Sequence, residues 1–214
     1  MKKNRMLKAA LGLGAAMSLW LGLSAYGAQS SVIESVNVSF KTVYGEPEEI
    51  PEPEVTVSGK SCSLGDVQYR TDYDSWKPGR KVRVEVTVVA EDGKYFPATL
   101  NRSKCKVTGA DFVSAKALDD SSLQVKADYR PVTVLGDTQK AGWSSTSKKK
   151  AVWKSVEYAP GYTLTLYGDN KVVKRITVES NSVNLADYMT DMDKTYYYEV
   201  KAVPVTSDEK KYLK

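Results

Sequence analysis

Residues 81–89, "KVRVEVTVV", alternate strictly, with Val82, Val84, Val86 and Val88 on one face and Arg83, Glu85 and Thr87 on the other. A period of two is the signature of a strand with one buried face. The device returns in "SVNVSFKTV" with Val36, Val38 and Phe40, and in "LQVKADYRPV" with Leu123, Val125, Ala127 and Tyr129 inward. Turn signals lie between them, "KPGR" at 77–80 and "EDGK" at 91–94, at the spacing of antiparallel strands. Each strand offers one apolar face, so two sheets must pack face to face, and residues 31–135 are predicted to form a β-sandwich. Inside that stretch, "YGEPEEIPEPEV" at 44–55 is dense in proline, which removes ladder donors, and in carboxylates that repel one another. It is expected to be an extended edge or loop.

Beyond residue 135, "KAVWKSVEYAPGYTLTLYGDNKVVKRITV" predicts strands around Trp153, at 162–166 and at 172–178, with "YGDNKV" turning between the last two. A polar stretch, the short segment "NLADYM" and "TYYYEVKAV" follow. A meander of short strands again predicts a sandwich, here over 136–214. On the last strand Tyr196 and Tyr198 share one face, while Tyr197 takes the other with Glu199 and Lys201. The three adjacent rings therefore cannot form a single binding platform. The run Lys148, Lys149 and Lys150 is expected to be a solvated turn.

The pattern Trp153, then "APGYTLTLY", then a Leu or Met before a loop, then "TYYYEVKAV", resembles a fibronectin type III domain over about residues 136–205. The resemblance implies that Trp153 lies in the core on the second strand and that Gly161 and Tyr162 open the third. It also implies that Tyr196 bonds back to the preceding corner, at residues 187–191, with Tyr198 following at the alternating spacing. The approach "MTDMDKT" is somewhat long, so either Met189 or Met192 fills the usual leucine position. A seventh strand would have to come from "PVTSDEKKYLK", most of which the returning loop would consume. The sixth strand is thus expected to present an unpaired edge, its neighbour supplied by further sequence or by a partner. The whole arrangement is similar to secreted Gram-positive surface proteins in which a leader precedes Ig-like or fibronectin-type sandwiches.

The N-terminus sets the compartment. "MKKNRMLK" is basic, "AALGLGAAMSLWLGLSAYGA" is apolar and rich in small residues, and polar sequence begins at Gln29. That order predicts a signal peptide over residues 1–28, with the small residues Ala25 and Gly27, or Ala28, at the cut and an uncleaved anchor as the alternative. The leader carries four of the 31 Lys and Arg residues, leaving 27 against 26 acidic ones. The mature chain is nearly neutral, so the basic pI is no evidence for a nucleic-acid partner. A secreted or cell-wall-associated all-β protein of two tandem modules is expected.

The chemical inventory is thin. The chain has no histidine, which removes Ser-His-Asp and Cys-His catalysis and the commonest zinc sites. There is no Gly-x-Ser-x-Gly elbow, phosphate-cradling glycine loop or EF-hand pattern. "DMD" at 191–193 lacks the further ligands calcium requires, and the acidic stretch at 44–55 would bind calcium only if a fixed loop made its oxygens converge, so a loop without metal is the preferred reading. No catalytic, cofactor-binding or metal residue is assigned, and no carboxylate pair stands out for a glycosidase. Cys62 and Cys105 are the only cysteines, and in an exported chain the expectation leans to a disulfide worth about 4 kcal/mol, with two unpaired thiols as the alternative. "YRTDYDSW" places Tyr69, Tyr73 and Trp76 in a loop-like stretch. These rings either contact a ligand or, the preferred reading, cap the sandwich core with Tyr69 and Trp76. The expected function is a non-catalytic spacer or adhesion scaffold meeting a protein or glycan at the cell surface, with a carbohydrate-binding module as the alternative.

Overall fold

The computed structural model describes residues 31–214, so the leader lies outside the described residues. The described chain is all-β. Its first half contributes β1 (Ser31–Val32), β2 (Val36–Lys41), β3 (Glu54–Ser58), β4 (Cys62–Tyr69), β5 (Val82–Ala90), β6 (Lys94–Tyr95), β7 (Thr99–Leu100), β8 (Cys105–Thr108), β9 (Asp111–Asp119) and β10 (Ser122–Tyr129). The second half contributes β11 (Gly142–Ser144), β12 (Ser147–Val152), β13 (Gly161–Gly168), β14 (Lys171–Val178), β15 (Ser182–Asn184) and β16 (Tyr196–Val203). Among the described residues no helix is long and apolar enough to cross a membrane.

In the first half a five-stranded sheet, β4-β5-β10-β9-β7, and a three-stranded sheet, β3-β2-β8, contribute to one hydrophobic core. The alternating residues of β2, β5 and β10 form it, including Val36, Val38, Val84, Val86, Leu123 and Val125, all buried. The outer face of β5 and β10 carries a second code. Arg83 stands opposite Asp128 and Glu85 opposite Lys126, and both rungs close as ion pairs, at 2.6 and 3.0 Å. Apolar residues on one face and complementary charges on the other select the same register, since a slip of one residue would turn each set to the wrong side.

The second half packs β11-β12-β15 and β14-β13-β16 around another core, built from Ala151, Trp153, Tyr162, Leu164, Leu166, Leu185 and neighbouring residues. Asp169 and Asn170 both adopt positive φ, 50° and 65°, which is the backbone a two-residue hairpin turn requires between β13 and β14. Met189 is buried in this core while Met192 is 81% exposed, so of the two methionines it is Met189 that packs inward. Lys148, Lys149 and Lys150 correct the expected turn, because they lie within β12, where Lys150 stands opposite Asn184 of β15 and the register towards β11 shifts across the three lysines. Lys149 is partly buried and its Nζ donates to the Met189 carbonyl at 3.2 Å, which keeps the charge hydrogen-bonded.

Candidate interaction surface

The loop aromatics of the first half converge on one another. Trp76 follows a short 3-10 turn (Tyr73–Ser75), is only 3% exposed, and donates its Nε1 proton to the Thr71 carbonyl at 3.1 Å. Tyr69 meets its ring edge-on at 4.8 Å and Tyr73 at 5.2 Å. Tyr73 is half exposed and its hydroxyl donates to the Ile50 carbonyl. The structure brings the three predicted contact residues together, with Trp76 in the first core, Tyr69 packed against it and Tyr73 outside the cluster. A sugar could not stack on Trp76, because Tyr69, Tyr73 and the core already occupy its surroundings.

The tyrosine strand divides as period two requires. Tyr197 lies on the outer face, stacked on Tyr167 of β13 at 4.8 Å and 8° between ring planes. Tyr196 and Tyr198 lie on the core side, packed against the second cluster. The Asp191 N–H donates to the Tyr196 hydroxyl oxygen at 3.3 Å, so this corner phenol accepts a backbone hydrogen where the expected corner would donate one. The donor role falls to Tyr198, whose hydroxyl lies 2.6 Å from the Gly142 carbonyl and 2.8 Å from that of Val152. Gly142 and Val152 are directly opposed on β11 and β12, so one phenol ties both strands to the facing sheet. Trp153 is buried with its ring edge-on to Tyr162 at 5.3 Å, and the Tyr162 hydroxyl oxygen accepts the Val156 N–H at 2.9 Å.

Cys62 and Cys105 are free thiols, both buried in the first core, so the structure departs from the expected disulfide. Cys105 enters β8 directly opposite Val36 of the parallel strand β2, where it packs as a small apolar residue. Burial pushes its thiol up to about 11 and raises that of Cys62 as well. Asp191 is tied within its loop by Lys194 at 3.0 Å and by the N–H of Asp193. Among the described residues no group of three or more acidic or cysteine side chains is arranged to hold a metal ion.

Sequence reasoning missed the joint between the two cores. Residues 131–135 run extended between two other segments. On one side the Glu48 N–H donates to the Val134 carbonyl at 2.7 Å, and the Thr133 hydroxyl donates to the Glu49 carbonyl at 2.5 Å. On the other side Thr133 and Leu135 donate to the Tyr212 and Lys214 carbonyls, at 3.0 and 2.7 Å, and the Lys214 N–H returns to Thr133 at 3.1 Å. Leu213 inserts into the second core, the Tyr212 ring lies over Gly79 of the first half, and the Lys214 ammonium sits 3.7 Å from the centre of the Tyr44 ring. The Pro-Glu-rich segment is a loop up to β3, as expected, and its use is to hold this joint. Individual bonds between residues far apart in sequence leave no periodic signal, which is why the joint was not legible.

The expected open edge is present. β16 ends its sheet, and among the described residues no backbone group of residues 196–203 bonds to backbone outside β13. After β16 the Glu209 carboxylate accepts the N–H groups of Val205 and Thr206, at 2.8 and 2.7 Å, and the chain then goes to the joint. On the core side, Tyr196, Tyr198 and Val200 are only partly buried, whereas Tyr162, Leu164 and Leu166 of the neighbouring central strand are buried. On the outer side, Glu199 and Lys201 face Thr165 and Thr163 of β13, and neither is in an ion pair among the described residues. The chain matches no family model, no curated protein and no solved structure.

Proposed function

We propose that this chain is an exported, non-catalytic β-sandwich protein that works outside the cell or at its surface as a spacer and interaction scaffold. The observation that carries the reading is the joint. A spacer must transmit position from one module to the next, and residues 131–135 are hydrogen-bonded on both sides, to the Glu48–Glu49 loop and to the Tyr212–Lys214 tail. Such a connection restricts the relative motion that a free linker would allow. The basic-then-apolar leader supports the extracellular assignment. Two three-stranded sheets in the orders β11-β12-β15 and β14-β13-β16, with Trp153 between them, support reading the second module as fibronectin type III-like.

The test is to express the full chain with a C-terminal tag, fractionate the cells and determine the N-terminus of the product. A mature chain starting near Gln29, outside the cytoplasm and accessible to added protease, is the expected result. A product that retains Met1 and stays in the cytoplasm contradicts the reading.

A further inference from the structure

We propose that the free edge of β16 is a self-association site, at which two copies pair antiparallel about a two-fold axis through Val200 to make one six-stranded sheet. The proposal names the partner of the interaction scaffold and rests on that reading.

Three observations carry it. The edge is open, because the backbone of residues 196–203 is bonded on one side only and the following chain turns away to the joint. The sandwich is incomplete at the same place, because Tyr196, Tyr198 and Val200 face the core and remain partly exposed. An added strand would cover those residues and satisfy the edge donors and acceptors together. The third observation selects the occupant. With the axis at Val200, Glu199 stands opposite the partner's Lys201 and Lys201 opposite the partner's Glu199, so both charged rungs on the outer face are complementary. Tyr197 then meets the partner's Val203 on the same face, and Tyr198 meets the partner's Ala202 on the core face.

This molecule already uses such rungs, in the Arg83–Asp128 and Glu85–Lys126 pairs that align β5 with β10. Glu199 and Lys201 are the same device with no charged rung of their own. Charges on an edge ordinarily block association, and the opposite edge of this sheet illustrates it. There β14 carries Lys171, Lys174 and Arg175 without an acidic residue, so pairing with its own copy would set cations against cations. The isologous β16 contact is closed by its two-fold axis and stops at a dimer.

Sedimentation equilibrium of purified residues 31–214 over a wide concentration range, at low and moderate salt, tests the proposal without reference to where the protein resides. A failure here would therefore leave the export test untouched. A monomer–dimer equilibrium is expected. Lys201→Glu sets like charges opposite each other at both rungs and is expected to weaken the dimer about tenfold. Glu199→Lys does the same, although it also removes the acceptor of the Tyr167 hydroxyl. The double exchange Glu199→Lys/Lys201→Glu restores both rungs and is expected to recover association to within about threefold. Thermal melting of each variant checks that the sandwich is intact. A monomer at all concentrations, a dimer indifferent to the single reversals, or growth into open-ended polymers overturns the proposal.

Discussion

The Tyr198 hydroxyl, on β16, lies 2.8 Å from the carbonyl oxygen of Val152, on the facing sheet. Its single proton is shared with the Gly142 carbonyl at 2.6 Å, so the contact fastens the β11-β12 pair as well as the two sheets. Tyr198→Phe keeps the ring against Trp143 and Trp153 and removes only the donor. A loss of about 1 kcal/mol is expected in urea unfolding. Tyr196→Phe, which deletes a longer, exposed contact, should cost less, and Tyr197→Phe should change little. Equal effects at 196 and 198 would contradict the assigned donor.

Trp153→Ala should unfold the second core. Removing a buried indole costs about 3 to 5 kcal/mol, comparable with the stability of a small domain. Amide exchange by mass spectrometry provides the readout, with protection lost across β13 and β16 and kept across β5 and β10. Protection unchanged in β13 would refute the role of this ring.

Gly79 has φ of +75°, and a Cβ there would come within 2.5 Å of the Tyr212 ring. Gly79→Ala therefore combines left-handed strain with a clash, and should cost about 1 to 3 kcal/mol. Tyr212→Ala removes the clash, so the double variant should be more stable than the sum of the single effects predicts. Strict additivity would show that the two residues do not touch.

Two thiols should titrate in denaturant and neither in the native protein at neutral pH, because burial keeps Cys62 and Cys105 protonated and out of reach. Detection of no thiol in denaturant would establish the disulfide that the structure lacks.

Glu85 accepts hydrogen bonds from Arg70 at 2.5 Å, Lys126 at 3.0 Å and Gln124 at 3.1 Å, and the first two hold its carboxyl down to about 2 from an ordinary 4.5. The folded pKa is below the unfolded one, so the stabilisation is complete above about pH 4.5 and is lost as pH falls through about 2. Urea midpoints of the parent and of Glu85→Gln should therefore differ at pH 6 and converge towards pH 2 (on the order of the pKa window above). A constant difference across that range would contradict the assignment.

Residues whose neighbours are set by periodicity were legible before the structure. The valines of β5, the inward set of β10 and the split between Tyr197 and its neighbours all follow from a period of two, whereas the buried place of Trp153, just past the end of β12, is an implication of the fibronectin-like resemblance. Glu85 shows where that reasoning stops. It sits on the polar face as alternation requires, yet Arg70, Gln124 and Lys126 cover it to 6% exposure, a consequence of register that one strand alone cannot reveal. The lysines of β12 read as a turn because strand propensity disfavours them, while the partner of Lys150, Asn184 of β15, belongs to a strand more than thirty residues on, which the run itself does not reveal. Tyr198 was placed on the correct face, but its acceptors belong to strands 46 and 56 residues away.

The central claim is that the joint at residues 131–135 holds the two modules as one unit. It is tested most directly by a distance distribution between spin labels placed on exposed positions of each module, Leu118→Cys and Val172→Cys, in dilute frozen solution. The account predicts a single narrow distribution in the intact chain that broadens when residues 212–214 are deleted. A broad distribution in the intact chain, or one that the deletion leaves unchanged, would contradict it.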